Sequence, residues 1–236
     1  MEIIDALTFI GNTAYWKFSA EELIKRMDAN NISRSITTPA PPGPDYREAN
    51  MAVREAVKRY PDRLLGFYRV NPHYGDRILR DAETAIAEWG FKGMMLDPTN
   101  EAFGVTLRTV EGTMELARRL KIPVYYHTGD SIFCPPEQVG DIARLYPRVP
   151  IMMHASTAAT REARRYDNIV LTTGPLGGPG LLDRAPDTID LNRLVFSSLV
   201  PIGYPELELR CFEHSFLAKS DKQRILSQNI KGLLQI

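Results

Sequence analysis

A single α/β domain over residues 1–236, a near-minimal (β/α)8 TIM barrel, is the fold this sequence predicts, and three observations predict it. Eight short runs rich in Ile, Val, Leu, Met and Tyr recur along the chain. Charged segments of helical period separate them. No linker or composition break divides the series, and strands alternating with helices build a parallel sheet. An open doubly wound sheet is the alternative. No GxGxxG motif follows the first strand, however, and GPLGGPG after the seventh is too loose a match to a phosphate-binding loop.

The first strand is EIIDALTFI. Its even alternation puts Ile3, Asp5, Leu7 and Phe9 on one face and Ile4, Ala6, Thr8 and Ile10 on the other. Both faces are mostly apolar, as for a parallel strand covered on both sides. SAEELIKRMDANN follows, with Leu23, Ile24 and Met27 on one helical face and Ser19 as N-cap. NISRSITTP from Asn31 and RLLGFYRVN from Arg63 are the next strands, joined by the helix DYREANMAVREAVKRYP. GDRILRDAETAIAEWG is a helix that closes on Gly90. FKGMMLDP, IPVYYHTG, VPIMMHAS, NIVLTTG and RLVFSSLVP complete the strands. TVEGTMELARRLK, PPEQVGDIARLYP and TAATREARRYDN are the helices between the first four of them. The seventh crossover, PLGGPGLLDRAPDTIDLN, is rich in Gly and Pro and predicts at most a short helix. KSDKQRILSQNIKGLLQ is the final helix, with Ser220 and Asp221 as cap candidates.

The totals exclude several function classes. With 29 basic and 29 acidic side chains the net charge is zero, so no broad field draws the chain to nucleic acid or an anionic membrane. No apolar run approaches the roughly 20 residues of a membrane helix. Glu2 and Asp5 stand where a signal peptide would be basic and then apolar, so the expected location is cytoplasmic. Cys134 and Cys211 form no CxxC pattern and read as two reduced thiols. The expected partner is a small-molecule ligand or another protein.

A barrel keeps its active site at the carboxyl ends of its strands. Polar residues there are Asp5, Thr37, Thr38, Arg69, Asn71, Asp97, Tyr125, His127, Asp130, His154, Thr172, Thr173, Ser197 and Ser198. His127 and His154 end consecutive strands, in a chain with 4 histidines. His73 is expected on the opposite rim and His214 in a helix, both structural. Arg69 is a candidate anion clamp, with an internal ion pair to Asp97 as the competing assignment.

Six segments in order resemble the amidohydrolase superfamily, in the branch of aminocarboxymuconate-semialdehyde decarboxylase and related decarboxylases and lactone hydrolases. IIDALTFIG is similar to the family's opening IDxHxHxG, and GFYRVNP through GFKGMMLDP to its third and fourth strands. IPVYYHTGD resembles PvliHtG, LYPRVPIMMHAS resembles fPdvpivlaHxG, RLVFSSLVP resembles rilfGSDxP, and QRILSQNIKGLL resembles its closing helix. The resemblance implies a divalent metal, usually zinc, held by two first-strand histidines, the fifth-strand histidine and the eighth-strand aspartate. It also implies a homodimer. Carried across, the ligand positions are Leu7, Phe9, His127 and Leu199, and three of these are hydrocarbon.

Leu and Phe have no lone pair, and catalytic zinc takes about three protein donors. The leading expectation is therefore a barrel with no metal and no cofactor. It would be a ligand-binding, regulatory or vestigial homologue, with Asp5, Leu7, Phe9, Arg69, Tyr125, Asp130 and Leu199 around the ligand or serving a same-fold partner. A second reading is a metal-independent acid/base enzyme, a hydrolase or decarboxylase on a small carboxylate, with His127, His154 and Asp97 as its catalytic groups. A third is a metal-dependent hydrolase with a site rebuilt from His127, His154, Asp97 and Asp130.

Overall fold

The computed structural model describes residues 1–43, 45–128, 133–174 and 179–236. Its strands are β1 (Ile4–Asn12), β2 (Lys17–Phe18), β3 (Arg34–Pro39), β4 (Leu64–Arg69), β5 (Gly93–Leu96), β6 (Val124–Tyr126), β7 (Ile151–His154), β8 (Ile169–Thr172) and β9 (Leu194–Val195). They form one sheet in the order β2-β1-β3-β4-β5-β6-β7-β8-β9. Every pairing is parallel except the antiparallel β1–β2 hairpin, which the sequence reading had not anticipated.

The sheet closes on itself just beyond β9. Ala6 donates its backbone N–H to Phe196 O at 2.8 Å, Leu199 to Leu7 O at 3.1 Å, and Phe9 to Val200 O at 2.8 Å. The fold is thus a (β/α)8 TIM barrel, with the eight expected strands as its staves. The helices α1 (Ala20–Ala29), α2 (Arg47–Arg59), α3 (Gly75–Glu88), α4 (Leu107–Leu120), α5 (Pro136–Leu145), α6 (Thr157–Arg165) and α7 (Pro179–Thr188) make the crossovers. Ser19 caps α1 in a reciprocal pair with Glu22, and Gly90, at φ 74°, follows the end of α3. The weak seventh crossover holds α7, with Pro186 inside it.

After β9 come α8 (Pro205–His214), α9 (Lys219–Gln223), a π-helical turn over Arg224–Gln228, and α10 (Asn229–Leu234). The expected final helix is therefore interrupted, and its N-cap is Ala218 rather than Ser220 or Asp221. None of the described helices is long and apolar enough to cross a membrane.

Two apolar clusters sit on the two faces of the sheet. The larger lies between strands and helices; the smaller fills the barrel and includes Leu7, Phe9, Ile36, Phe67, Met95, Tyr125, Met152, Val170, Val195 and Leu199. Side chains two residues apart on a strand share a face. Each interior residue of β3 to β9 therefore predicts the next inward position toward the mouth.

Residue Asp5 departs from the expected parity. The β1–β3 register pairs Asp5 with Ser35 and Thr8 with Thr37, so β1 carries one extra residue between Asp5 and Thr8. The bulge shifts the phase: Leu7 and Phe9 face the barrel interior, and Asp5 does not share their face.

Candidate functional site

One step above the interior cluster, toward the strands' carboxyl ends, the inward positions are Phe9, Thr38, Arg69, Asp97, His127, His154, Thr172 and Ser197. Each of the eight staves except β1 contributes a polar residue to this ring. Phe9 is the exception, and its ring centroid lies 6.1 Å from that of His127. Leu7 and Phe9 are sealed from solvent, and Leu199 is 1% exposed. Leu199 holds a left-handed backbone, φ 59°, a conformation in which a leucine costs roughly 1–2 kcal/mol and which short polar residues tolerate better.

Two polar networks occupy the ring. In the first, Asp97 Oδ2 lies 3.0 Å from His127 Nδ1 and 2.5 Å from Arg69 Nη2, and it accepts from Asn100 Nδ2 at 2.8 Å. Arg69 is fully committed. It donates Nε to Glu101 Oε1 at 2.9 Å and Nη1 to Pro39 O at 3.0 Å, and its guanidinium stacks 4.6 Å from the centroid of the Tyr46 ring. The internal ion pair with Asp97 is formed, with both side chains buried. Arg69 is thereby occupied and does not present itself as an anion clamp.

Burial opposes ionisation of Asp97, but Arg69 and then His127 outweigh it and hold the carboxyl well below its usual range. Glu101 fares differently. Burial pushes it up to about 7 against the pull of Arg69. Glu101 had not been singled out in the sequence. It stands four residues after Asp97 in the loop that follows β5, and its Oε2 accepts the Asp97 N–H at 3.0 Å.

In the second network Tyr125 Oη lies 3.0 Å from His154 Nδ1 and 3.1 Å from Thr172 Oγ1. His154 Nδ1 is also 3.3 Å from Thr172 Oγ1. Burial, and next the neighbouring His127, lower the His154 pKa to about 3, so this imidazole is neutral at physiological pH. The two histidine rings meet edge to face, with centroids 4.9 Å apart. The adjacent strand ends thus bring His127 and His154 together as expected.

Other expected residues lie elsewhere. Asp5 is buried beside the closing segment. Its Oδ1 accepts from Ser198 N at 2.9 Å and Leu7 N at 3.3 Å, and its Oδ2 from Ser198 Oγ at 2.5 Å. The β1 bulge is the reason it leaves the mouth. His73 is on the mouth side and not the opposite rim, because it follows β4 directly and its Nε2 lies 2.9 Å from Glu101 O. Asp130 falls outside the described residues. Cys134 is buried, and burial pushes its thiol up to about 12, which makes it a poor nucleophile.

Among the described residues no group of three or more His, Cys, Asp or Glu side chains is placed to hold a metal ion. A cavity of about 600 Å³ lies between α1, α2 and the carboxyl end of β1, over Ile10, Gly11, Phe18, Ala52 and Ala56, and contains none of the ring residues beyond the first strand.

The fold is shared with several solved enzymes. A 2,6-dihydroxybenzoate decarboxylase from Rhizobium superposes with a TM-score of 0.78 at 16% identity, over 99% of this chain and 98% of that one. A 5-carboxyvanillate decarboxylase from Novosphingobium aromaticivorans, complexed with manganese and a hydroxy-methoxy-nitrobenzoic acid, gives 0.80 at 14% identity, over 100% and 96%. A 4-oxalomesaconate hydratase from Rhodopseudomonas palustris gives 0.73 at 16% identity, over 99% and 95%. At these identities the likeness is one of fold. No curated protein is similar enough in sequence to be matched. Residues 19–236 match the amidohydrolase family along almost the whole chain, from the start of the first helix to the last residue, and the chain belongs to that family.

Proposed function

We propose that this chain is a metal-free amidohydrolase-fold barrel, one unit over its whole length, that binds a small molecule at its mouth. The observation that carries the reading is the burial of Leu7, Phe9 and Leu199 in one apolar cluster, at the positions where the family resemblance would put three metal donors. The residues present do not fit a metal. Hydrocarbon offers no lone pair, and catalytic zinc takes about three donors from protein. Of the remaining candidates, His127 and Asp97 are bonded to each other, and Asp97 is also bonded to Arg69. The left-handed backbone at Leu199 supports the reading too, because it suits a short polar side chain better than leucine.

Elemental analysis of the purified protein tests this, together with melting in the presence and absence of chelator. The expected result is no stoichiometric zinc, manganese or iron and an unchanged melting temperature. Metal near one equivalent, lost together with stability on chelation, would overturn the reading. A regulatory role toward a same-fold partner, or a homodimer, is compatible with it, and native mass spectrometry reads both assembly and retained ligand.

A second reading rests on the 3.0 Å contact between His127 Nδ1 and Asp97 Oδ2. A partly buried imidazole, its side chain 21% exposed, oriented by an ionised carboxylate is the arrangement of a general base. On that reading His127→Gln abolishes turnover and leaves the fold intact, and His154→Gln reduces it. Turnover unaffected by both substitutions would exclude the pair. The carboxylate substrate expected for such an enzyme loses its clamp, since Arg69 is occupied.

A further inference from the structure

We infer that the barrel mouth takes an uncharged, hydroxyl-bearing aromatic molecule and rejects the carboxylate form of the same ring, with Thr38 and Ser197 as hydrogen-bonding contacts inside the barrel. The inference deepens the proposed function and rests on its metal-free reading.

Charge gives the first half of the argument. A carboxylate drawn into a mouth shielded from water needs a cation or several donors to replace its hydration. Arg69 cannot serve, because its guanidinium is sealed and divided between Asp97, Glu101 and Pro39 O. His154 Nδ1 is engaged by Tyr125 Oη and Thr172 Oγ1, at 3.0 and 3.3 Å. Any charge on His127 is already paired with Asp97. Among the described residues of the ring, an incoming anion would meet the Asp97 carboxyl, and the cationic groups there are already paired with it or with Glu101.

The lining gives the second half. Phe9, Tyr125, His127 and His154 form a run of ring contacts, with successive centroids 6.1, 4.9 and 5.6 Å apart in the order Phe9–His127, His127–His154 and His154–Tyr125. Phe9 and Tyr125 are sealed within that run, and His127 and His154 give its mouth end an aromatic face that suits another ring. Two hydroxyls supply the polar side. Thr38 pairs in register with Phe9 and so shares its inward face, and Ser197 lies two residues beyond the interior Val195. Both side-chain oxygens are buried with no hydrogen-bond partner. A buried hydroxyl left unpaired is costly, and a ligand hydroxyl would recover that cost. Because both are covered, a ligand that reaches them is drawn into the barrel and does not rest on its rim.

The experiment is calorimetric titration at pH 7.5 with resorcinol and, separately, 2,6-dihydroxybenzoate, on one batch whose metal content is measured. Resorcinol is expected to bind about ten-fold or more tightly than the acid. Thr38→Val and Ser197→Ala should each weaken resorcinol by about three- to ten-fold, the worth of one hydrogen bond, whereas Thr38→Ser should restore it. Tighter binding of 2,6-dihydroxybenzoate, or no binding of resorcinol at millimolar concentration, overturns the inference whatever the metal content. So does a Thr38→Val variant that keeps full affinity. Stoichiometric metal with resorcinol still preferred overturns the metal-free reading alone.

Discussion

The ring of Phe9 faces that of His127 inside the barrel, with centroids 6.1 Å apart and planes tilted by 36°. On the proposed metal-free reading, this phenyl group fills the space beside the imidazole that the family resemblance gives to a metal and its ligands. Phe9 is sealed from solvent and packs with Leu7 and Leu199. Phe9→Ala should cost about 3–5 kcal/mol by urea unfolding, as for other fully buried rings. A loss well under 1 kcal/mol would mean that the ring lines open space.

The pair of Arg69 and Asp97 makes a second prediction. Removing one partner of a buried ion pair leaves the other charge uncompensated, which typically costs 3–5 kcal/mol. Arg69→Met strands both Asp97 and Glu101, so it should destabilise by at least that much. It should do more harm than Glu101→Gln, which leaves Arg69 paired with Asp97. Equal effects in denaturant titrations would contradict the arrangement.

A third prediction concerns pH. Burial raises the Asp5 carboxyl to about 7, with the Ser198 hydrogen bonds pulling the other way. A carboxyl whose folded pKa lies above its unfolded value near 4 favours the folded state when protonated. Its contribution is full below about pH 4 and lost as the pH rises through about 7. Asp5→Asn can keep accepting from Ser198 N and can donate to Ser198 Oγ. The variant should lack that loss of stability between pH 4 and 7, while the parent shows it. Parallel pH profiles for the two proteins would show that Asp5 titrates normally in the fold.

Much of this was legible in the sequence, for identifiable reasons. Strand period and short connections gave the eight staves, and Ser19 and Gly90 gave two helix ends, because those signals are local. The pairing of His127 with His154 followed from consecutive strand ends. The error at Asp5 has one cause: alternation was extended through a bulge that only the β1–β3 register reveals. Glu101 escaped notice because it belongs to a loop, where no period marks which side chain turns back onto Arg69. Thr38 and Ser197 were visible as mouth residues, but their lack of partners is a property of packing.

The central claim is that three hydrocarbon side chains stand where a metal's donors would be. Zinc titration of the parent and of the triple variant Leu7→His, Phe9→His, Leu199→Asp, by calorimetry with melting alongside, tests it most directly. With His127 the variant would present three imidazoles and a carboxylate, a donor set suited to zinc. The account predicts that zinc binds the folded triple variant and raises its melting temperature, that no single substitution achieves this, and that the parent is unchanged. A triple variant that folds yet binds zinc no more tightly than the parent would contradict the claim, as would a parent that itself binds zinc tightly at one equivalent.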